Sequence, residues 1–191
     1  MDFKQNLELY QLCLNDNIPI IRQQTALLIE DIIQKHDYQS LLEIGTAYGY
    51  SCSLWIQIPN LKTIVSIEKN TDNYLIAQKY LKEYSQLQLV NGDAFEYNPQ
   101  QKFDLIFVDG PKSHQNNLIT HYMQFLNNNG TIVIDNLLLK KFRDIPENKR
   151  TKNQNNLIKK LDDLIQWLNQ LQDWSFEFKD IDDGVGILTR K

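Results

Sequence analysis

The feature that most constrains the fold of this chain is the stretch at residues 41–51, which reads LLEIGTAYGYS. Its first four residues are mostly apolar, a pattern typical of a parallel strand that is covered on both faces. Gly45 and Gly49 then permit a tight turn in which the backbone can approach a ligand closely. Ser51 follows at the position where a helix would begin and offer free N–H groups. The stretch therefore predicts a strand, a nucleotide-cradling turn and a helix.

This turn differs from the dinucleotide-binding fingerprint, which requires three glycines spaced G-x-G-x-x-G. Ala47 and Tyr50 occupy the positions of the second and third glycine. Glu43 is the unusual residue, because a carboxylate at the end of an apolar strand must be paired or hydrogen-bonded when it is buried. It could face a cationic group of a ligand, such as a sulfonium or an ammonium. It could equally pair with a neighbour in an ordinary strand–turn–helix corner.

Strand and helix patterns alternate along the chain, which argues for a parallel α/β sheet. We expect parallel strands at residues 41–44, 63–67, 87–90, 103–108 and 131–134. The asparagine-rich stretch at 127–130 is expected to be a turn. Near the end of the chain, a leucine-rich helix precedes two short strands that would pair antiparallel at the sheet edge. The prediction is a mostly parallel seven-stranded sheet with helices on both faces.

The length of 191 residues and a hydrophobic content of 42% fit a single domain that spans residues 1–191, with a helical cap at residues 1–36. The two cysteines, Cys13 and Cys52, indicate a reducing compartment and no disulfide framework. The N-terminal residues lack the pattern of a signal peptide, and no apolar run approaches membrane-spanning length. We therefore expect a cytoplasmic protein without membrane association.

Residues 140–160, called here the basic segment, concentrate positive charge on an otherwise acidic chain. The segment contains eight basic and two acidic residues, a net charge of +6, whereas the whole chain carries −4. Such a concentration is a candidate phosphate-binding surface. A solvated loop and helix face is the alternative interpretation.

Acidic residues lie at or just beyond the ends of the predicted parallel strands. These residues are Glu43, Glu68, Asp93, Asp109 and Asp135. In open α/β sheets, ligands bind beyond the carboxyl ends of the strands, so the acids together indicate a site. Glu68, at the end of the second strand, could accept both ribose hydroxyls of a nucleotide. Asp93 could meet an adenine amino group or cap the turn.

A second polar group at the same edge consists of Asp109, Asp135 and Asn136. These side chains supply hard oxygen ligands, which suit Mg²⁺. Such an ion could chelate two neighbouring oxygens of a substrate and lower the pKa of a hydroxyl. Lys112 lies three residues after Asp109 and could act as general base beside that hydroxyl. The alternative for Lys112 is an ordinary surface lysine.

These parts of the sequence, taken in order, resemble the class I S-adenosylmethionine-dependent, metal-dependent O-methyltransferases of the catechol type, which have a Rossmann-like fold. The resemblance rests on residues 41–51, Glu68, residues 92–94, residues 103–112, Asp135-Asn136 and Asp183-Gly184. Within that family, residues 17–33 and the basic segment with the helix that follows it are similar to the bacterial tRNA 5-hydroxyuridine methyltransferases.

The resemblance implies a homodimer that uses S-adenosylmethionine and Mg²⁺ to methylate the wobble 5-hydroxyuridine in the tRNA anticodon loop, giving 5-methoxyuridine. The implied cofactor-lining residues are Ile20, Glu43, Gly45, Ser51, Glu68, Asp93, Ala94 and Asp109. The implied metal ligands are Asp109, Asp135 and Asn136, and the implied catalytic residues are Lys112 and Asp109. The candidate tRNA-binding residues are Lys140, Lys141, Arg143, Lys149, Arg150 and Lys152.

Three other functions compete with this hypothesis. An O-methyltransferase for small catechol-like molecules shares the chemistry, but it has no need of phosphate contacts, so the basic segment favours tRNA. A nucleotide-binding dehydrogenase is disfavoured by the missing third glycine and by the group of Asp109, Asp135 and Asn136. A catalytically silent tRNA-binding protein is disfavoured because Lys112 and the metal ligands are intact.

Overall fold

The computed structural model describes residues 1–110 and 114–191, and the predicted catalytic residue Lys112 therefore lies outside the described residues. The strands are β1 Ser40–Ile44, β2 Thr63–Glu68, β3 Leu87–Asn91, β4 Phe103–Val108, β5 Leu126–Ile134, β6 Trp174–Lys179 and β7 Val185–Arg190. The helices are α1 Leu7–Asn15, α2 Gln23–His36, α3 Tyr50–Trp55, α4 Thr71–Leu81, α5 Gln115–Met123, α6 Lys140–Arg143 and α7 Lys152–Asn169. A short 3₁₀ turn, Glu147–Lys149, lies between α6 and α7.

The strands form one seven-stranded sheet in the order β3-β2-β1-β4-β5-β7-β6. The first five are parallel, whereas β7 pairs antiparallel with both β5 and β6. This arrangement confirms the predicted mostly parallel sheet with an antiparallel edge pair. The chain passes from β3, at one edge, to β4 on the other side of β1, so the strand order reverses between β1 and β4. In open α/β sheets this reversal creates the crevice in which ligands bind.

The central strands are buried on both faces, as their apolar sequences predict. Leu42 and Ile44 of β1 pack into the core on one side of the sheet, and Leu41 packs into the core on the other. All three are at most 1% exposed. The sheet therefore provides a rigid platform, and the polar residues that follow its strands are held at one edge.

The prediction of a turn at residues 127–130 is wrong, because β5 includes these residues. The register of β5 against β4 is irregular there. Tyr38 donates a hydrogen bond of 2.5 Å from its hydroxyl to the carbonyl oxygen of Asn129. Gly130 passes so close to the backbone of Asp104 that a Cβ atom would lie 2.7 Å from the carbonyl oxygen. Tertiary contacts thus hold an asparagine-rich stretch in the sheet despite its low strand propensity.

The helix α7 completes one face of the molecule. Thr151 and Gln154 form a reciprocal capping box at its start, which satisfies N–H groups that the first turn leaves free. Leu161, Leu164 and Leu168 lie one helical turn apart and pack into the core. In the described part of the chain, no helix combines the length and apolar character needed to cross a membrane.

Candidate active site

The glycine turn connects β1 to α3 at the centre of the carboxyl edge. Gly45 and Gly49 have φ angles of 103° and 86°, in the region that favours glycine. A Cβ atom on Gly45 would lie only 2.4 Å from the carbonyl oxygen of Asp109, so the two loops are in close contact. The N–H of Gly45 donates to the carbonyl of Ile67 in β2 over 3.0 Å. The turn is therefore fixed between β2 and Asp109, the first residue after β4.

Glu43 lies beneath this turn and is fully buried. Its carboxylate accepts hydrogen bonds from Trp55 Nε1 at 2.9 Å, Ser66 Oγ at 2.6 Å and Cys52 Sγ at 2.9 Å. Burial raises the pKa of Glu43, while hydrogen bonds from its neighbours, Cys52 first among them, oppose the rise. These partners are neutral, so the acid is satisfied by hydrogen bonding. Glu43 thus supports the turn from below, and a contact with a bound cofactor stays a prediction.

Glu68 joins the end of β2 to the same turn. Its Oε2 accepts the N–H of Ala47 at 2.7 Å, and its Oε1 accepts the N–H of Asn70 at 2.7 Å. The residue is half-buried. A carboxylate can accept about four hydrogen bonds, so these two contacts leave lone pairs for further donors. Glu68 is thus held against the cradle at the position predicted for a ribose-binding acid.

Asp93 lies further along the edge, beyond β3. Its Oδ1 caps the following turn by accepting the N–H of Phe95 at 2.9 Å, and Oδ2 pairs with Lys69 Nζ at 2.7 Å. The hydrogen bond from Lys69 is the main reason that the pKa of Asp93 is lowered. The backbone of Ala94 accepts a hydrogen bond from the Tyr122 hydroxyl. The capping alternative is therefore present, and the adenine contacts of Asp93 and Ala94 stay predictions.

Residues 18–21 of the N-terminal cap lie over the glycine turn. Together with Gly45, Tyr48, Ser51 and Asp109 they enclose a narrow cavity of about 20 Å³. A larger cavity of about 520 Å³ adjoins it and shares Ile20 and Tyr50 in its wall. Ligand pockets usually measure roughly 300–1,000 Å³, so a nucleotide-sized molecule would need residues 18–21 to move outward. Ile20 and Ser51, two predicted cofactor-lining residues, do lie together in this region.

The predicted metal ligands meet where β4 and β5 end. Asn136 Nδ2 lies 3.1 Å from Asp109 Oδ1, and Asp135 Oδ1 accepts the N–H of Asn136 at 2.7 Å. Asp135 is only 3% exposed. In octahedral Mg²⁺ sites with bonds of 2.0–2.1 Å, neighbouring ligand atoms are about 3 Å apart, which matches the spacing between Asn136 and Asp109. The oxygen and nitrogen of an amide are assigned from hydrogen bonding, so the Asn136 side chain can present its oxygen by rotating about its last torsion.

These residues therefore fit a hard divalent cation. Among the described residues, no three histidine, cysteine, aspartate or glutamate side chains form a group that could hold a metal ion. The candidate set depends on the amide of Asn136 as its third ligand. The left-handed backbone of Asn136, with φ of 61°, directs its side chain back across the end of β4 to Asp109.

Asp183 links three parts of the site. In the sequence it stands out only as one of the residues that carry the family resemblance. Its Oδ2 pairs with Arg22 Nη2 at 2.9 Å, directly after the covering residues 18–21. Its Oδ1 accepts the N–H of Lys140 at 2.8 Å, at the start of the basic segment. These two contacts connect the cap and the basic segment to the sheet edge. Asp183 itself is only 3% exposed, so its carboxylate is shielded from solvent.

Two arginines of the basic segment bind backbone carbonyls of nearby residues between 138 and 145. Arg150 donates from Nε to the carbonyl of Ile145 and from Nη2 to the carbonyl of Arg143, each over 2.7 Å. Arg143 donates from Nε to the carbonyl of Leu138 at 2.7 Å and pairs with Asp162 of α7. Charge-assisted bonds of this kind are stronger than neutral ones. The sequence indicated a charged surface here, but it did not reveal that these guanidinium groups brace the loop.

The lysines of the basic segment are mostly turned to solvent. Those that are exposed are Lys141, Lys149, Lys152, Lys159 and Lys160. Lys140 is half-buried, and its Nζ pairs with Asp180 at 2.8 Å. Of the six candidate tRNA-binding residues, Lys141, Lys149 and Lys152 are therefore the best exposed for a contact with phosphate, while tRNA contacts for all six stay predictions.

Comparison with known proteins agrees with this geometry. The chain is similar to the structure of a putative caffeoyl-CoA O-methyltransferase from Staphylococcus aureus, with a TM-score of 0.89, 27% identity, and coverage of 98% of this chain and 92% of that one. It is also similar to an S-adenosylhomocysteine-bound methyltransferase from Podospora anserina, with a TM-score of 0.83, 20% identity, and coverage of 97% and 87%. A probable cobalt-precorrin-6B C(15)-methyltransferase from Thermoplasma volcanium is 27% identical over 147 residues, which are 74% of this chain and 73% of the relative.

The family match covers nearly the whole chain. The O-methyltransferase family model aligns with residues 14–190, which include the glycine turn, the metal-ligand candidates and the basic segment. The sheet order and the edge pair agree with the same assignment. The fold is that of the class I S-adenosylmethionine-dependent O-methyltransferases, and the chain belongs to the O-methyltransferase family.

Proposed function

We propose that this chain transfers the methyl group of S-adenosylmethionine to the 5-hydroxyl of 5-hydroxyuridine at the wobble position of tRNA, giving 5-methoxyuridine. The observation that carries the tRNA assignment is the basic segment. Its arginines brace the loop from within, and its exposed lysines run from Lys141, five residues after Asn136, to Lys160 on α7. A surface of lysines beside a methyl-transfer site suits a substrate that carries phosphates.

The glycine turn supports the choice of methyl donor. S-Adenosylhomocysteine, the product of this donor, occupies the Podospora anserina relative, which shares the fold. In the proposed complex the Glu68 carboxylate accepts the ribose hydroxyls while it keeps its bond to the Ala47 N–H. Ile20 covers the methionine part of the cofactor, and the first turn of α3 offers N–H groups near Ser51 to its carboxylate.

The metal-ligand candidates support the choice of acceptor. Asp109, Asp135 and Asn136 would hold Mg²⁺, which when bound would favour the ionised form of the substrate hydroxyl. The 5-hydroxyl and the neighbouring O4 of the base are vicinal oxygens, as in a catechol. The close contact between Gly45 and Asp109 fixes the cofactor turn against the acceptor site, so it orients the two reactants.

The proposed reaction is a direct displacement. The hydroxyl oxygen forms a bond to the methyl carbon as the carbon–sulfur bond breaks, and the sulfur retains that electron pair as S-adenosylhomocysteine leaves. The hydroxyl proton passes to Lys112, which lies outside the described residues, and from there to solvent. Because the wobble base is single-stranded, it can be splayed into the site without melting a helix.

We further propose that the chain acts as a homodimer. Leu7, Leu14 and Leu27 of the N-terminal cap are 53%, 47% and 42% exposed, so the cap offers apolar side chains that a partner could bury. A second copy is the proposed cover for these side chains. Sedimentation velocity should give the mass of a dimer, and Leu14→Glu with Leu27→Glu should shift it to that of a monomer.

A second candidate function is O-methylation of a small catechol-like molecule. It is favoured by the name of the Staphylococcus aureus relative and by the cavity of about 520 Å³, whose wall includes Phe3, Leu7 and Tyr10. A cavity of this size suits a small aromatic acceptor. Such a reaction makes no use of the basic segment, whereas a tRNA substrate would contact it, so the segment distinguishes the two candidate functions.

The experiment that tests the proposal supplies purified protein with S-adenosylmethionine labelled in its methyl group. One reaction contains tRNA in which the wobble uridine is hydroxylated at position 5 but not methylated, and the other contains catechol. The proposal predicts that label enters the tRNA much faster than the catechol at low micromolar concentrations of each. Label that enters only the catechol would establish the second candidate instead.

A further inference from the structure

Gln115, the first residue of α5, has an unusual environment. It is only 3% exposed, yet neither its Nε2 nor its Oε1 has a hydrogen-bond partner among the described residues. Native proteins pair nearly all their buried polar atoms, so an amide with both atoms unpaired needs an explanation. A glutamine in such a position can pair with a ligand that comes from outside the chain.

Gln115 lies in the wall of a cavity of about 280 Å³ between α5 and α7. Trp167 and Leu164, both on α7, supply the apolar part of the wall, and Trp167 is only partly buried. Lys160 and Asp163, both exposed, line the same cavity. The cavity therefore combines an aromatic ring, an amide, a cation and a carboxylate.

The position of the cavity relates it to the proposed active site. The helix α5 begins seven residues after Val108, the last residue of β4, so its first turn lies at the carboxyl edge of the sheet. Gly110 itself lies against α5, because a Cβ atom on it would be 3.6 Å from Leu118. On the other side, Lys160 is the last residue of the basic segment. The cavity thus meets the carboxyl edge of the sheet through the start of α5 and the basic segment through Lys160.

We propose that this cavity binds a nucleobase adjacent to the modified uridine in the RNA strand, an inference that rests on the proposed tRNA substrate. The base stacks on Trp167, as unpaired bases commonly do on aromatic side chains. Its edge pairs with Gln115, whose amide offers a donor and an acceptor side by side. Lys160 lies at the rim, where it meets the phosphate of that nucleotide. Asp163 is available to accept from a base amino group.

The volume and chemistry favour a nucleobase over a larger ligand. About 280 Å³ is slightly below the usual range for drug-sized ligands, and it suits one planar ring system. Because the amide atoms of Gln115 are buried, binding must displace the side chains that cover them. Trp167 is the candidate for that movement, since it is only partly buried.

The test uses a fluorescein-labelled anticodon stem-loop RNA with plain uridine at the wobble position, so that binding is measured without methyl transfer. Trp167→Leu should raise the dissociation constant roughly 5- to 150-fold, the range expected for one stacked base. Trp167→Phe keeps a ring and should retain most of the affinity. An abasic nucleotide in place of one flanking base should weaken wild-type binding similarly, and Trp167→Leu should then cause no further loss.

Gln115→Leu separates a binding role from a structural one. Removing an unpaired buried amide should raise the midpoint of thermal unfolding by about 2–6 °C. The same change should weaken RNA binding about 10-fold, because the base loses its paired edge. A merely structural glutamine would give the opposite pattern, with lower thermal stability and unchanged affinity.

The inference is overturned if Trp167→Leu and Gln115→Leu bind the intact RNA as wild type does. It is also overturned if no flanking abasic site changes wild-type affinity, or if the wild-type chain binds none of these RNAs. The proposed function fails in a different way. If the predicted binding pattern is obtained but 5-hydroxyuridine in tRNA stays unmethylated, the cavity assignment stands and the proposed reaction is contradicted.

Discussion

Trp55 donates a 2.9 Å hydrogen bond from its indole nitrogen to the carboxylate of Glu43, and neither residue is exposed to solvent. This bond joins the end of the first strand to the end of the helix that follows the glycine turn. Ser66 adds a link to β2, and its hydroxyl also lies 2.6 Å from Thr46 Oγ1 in the turn. The strand, turn and helix that the sequence predicted are therefore held together by one buried carboxylate.

Glu43→Ala should be strongly destabilising. The substitution leaves the Trp55 and Cys52 donors without their acceptor, whereas Ser66 can still pair with Thr46, and each unpaired buried donor costs about 1–3 kcal/mol. We expect the free energy of unfolding in urea to fall by roughly 3 kcal/mol or more. Glu43→Gln keeps the volume and one acceptor oxygen, so it should cost only about 1 kcal/mol. Equal stability of the two variants would show that the network contributes little.

The stability that depends on Glu43 should fall as pH rises. Burial raises the pKa of Glu43 above its ordinary value of 4.5, so the folded chain keeps the proton at a pH where the unfolded chain has lost it. The unfolded state therefore gains on the folded state between the ordinary and the raised pKa. Urea unfolding from pH 4.5 upward should show wild type losing stability relative to Glu43→Gln. A difference that is constant across this range would contradict the raised pKa.

Gly45→Ala should disrupt the turn. The new Cβ would lie 2.4 Å from the carbonyl oxygen of Asp109, and φ of 103° is unfavourable for any residue with a side chain. We expect a loss of about 2–4 kcal/mol in the free energy of unfolding, together with loss of S-adenosylhomocysteine binding in calorimetry. Gly92→Ala is the control, because a Cβ there would meet nothing closer than Val90 at 3.9 Å. Similar losses in both variants would argue against the close contact.

Asp109→Ala should abolish the binding of Mg²⁺. The substitution removes one of the oxygen ligands that the chain offers at the ends of β4 and β5. Asp93→Asn is the matched control. Asp93 pairs with Lys69 and is not one of the metal-ligand candidates. Titration calorimetry should detect Mg²⁺ uptake by the control and by wild type. If Asp109→Ala takes up Mg²⁺ as wild type does, the ion does not bind at this site.

Arg150→Ala should loosen the loop that displays the lysines. Its two hydrogen bonds to backbone carbonyls are charge-assisted, so hydrogen exchange at residues 144–150 should become faster and stability should fall by about 1–3 kcal/mol. Lys149→Ala should leave exchange and stability unchanged, because Lys149 is exposed. If Lys149 contacts phosphate, its removal should lower the slope of log affinity against log salt concentration by about 1. Identical exchange in the two variants would refute the bracing role of Arg150.

The fold was predictable from local patterns. The apolar runs and glycine turn of a parallel sheet are contiguous in sequence, and strand alternation with helices fixes the layer architecture. The meeting of Asp109 and Asn136 was also predictable, because parallel strands end at one edge. In contrast, the strand at residues 127–130 depends on contacts from Tyr38 and Asp104, which no local propensity encodes.

The supporting residues of the site could not be predicted in the same way. The role of Glu43 depends on three donors from two different elements, α3 and β2, and the role of Arg150 depends on the path of its own loop. The cavity at Gln115 arises only when α5 packs beside α7. Side-chain geometry of this kind has no signature in the spacing of residues along the chain.

The most direct test of the central claim is mass spectrometry of nucleosides from tRNA that contains 5-hydroxyuridine, incubated with this protein, S-adenosylmethionine and Mg²⁺. The account predicts that 5-hydroxyuridine is converted to 5-methoxyuridine, and that the conversion stops when the metal is chelated or when Asp109 is replaced by alanine. Persistence of 5-hydroxyuridine in the complete reaction, with S-adenosylmethionine bound to the protein, would contradict it.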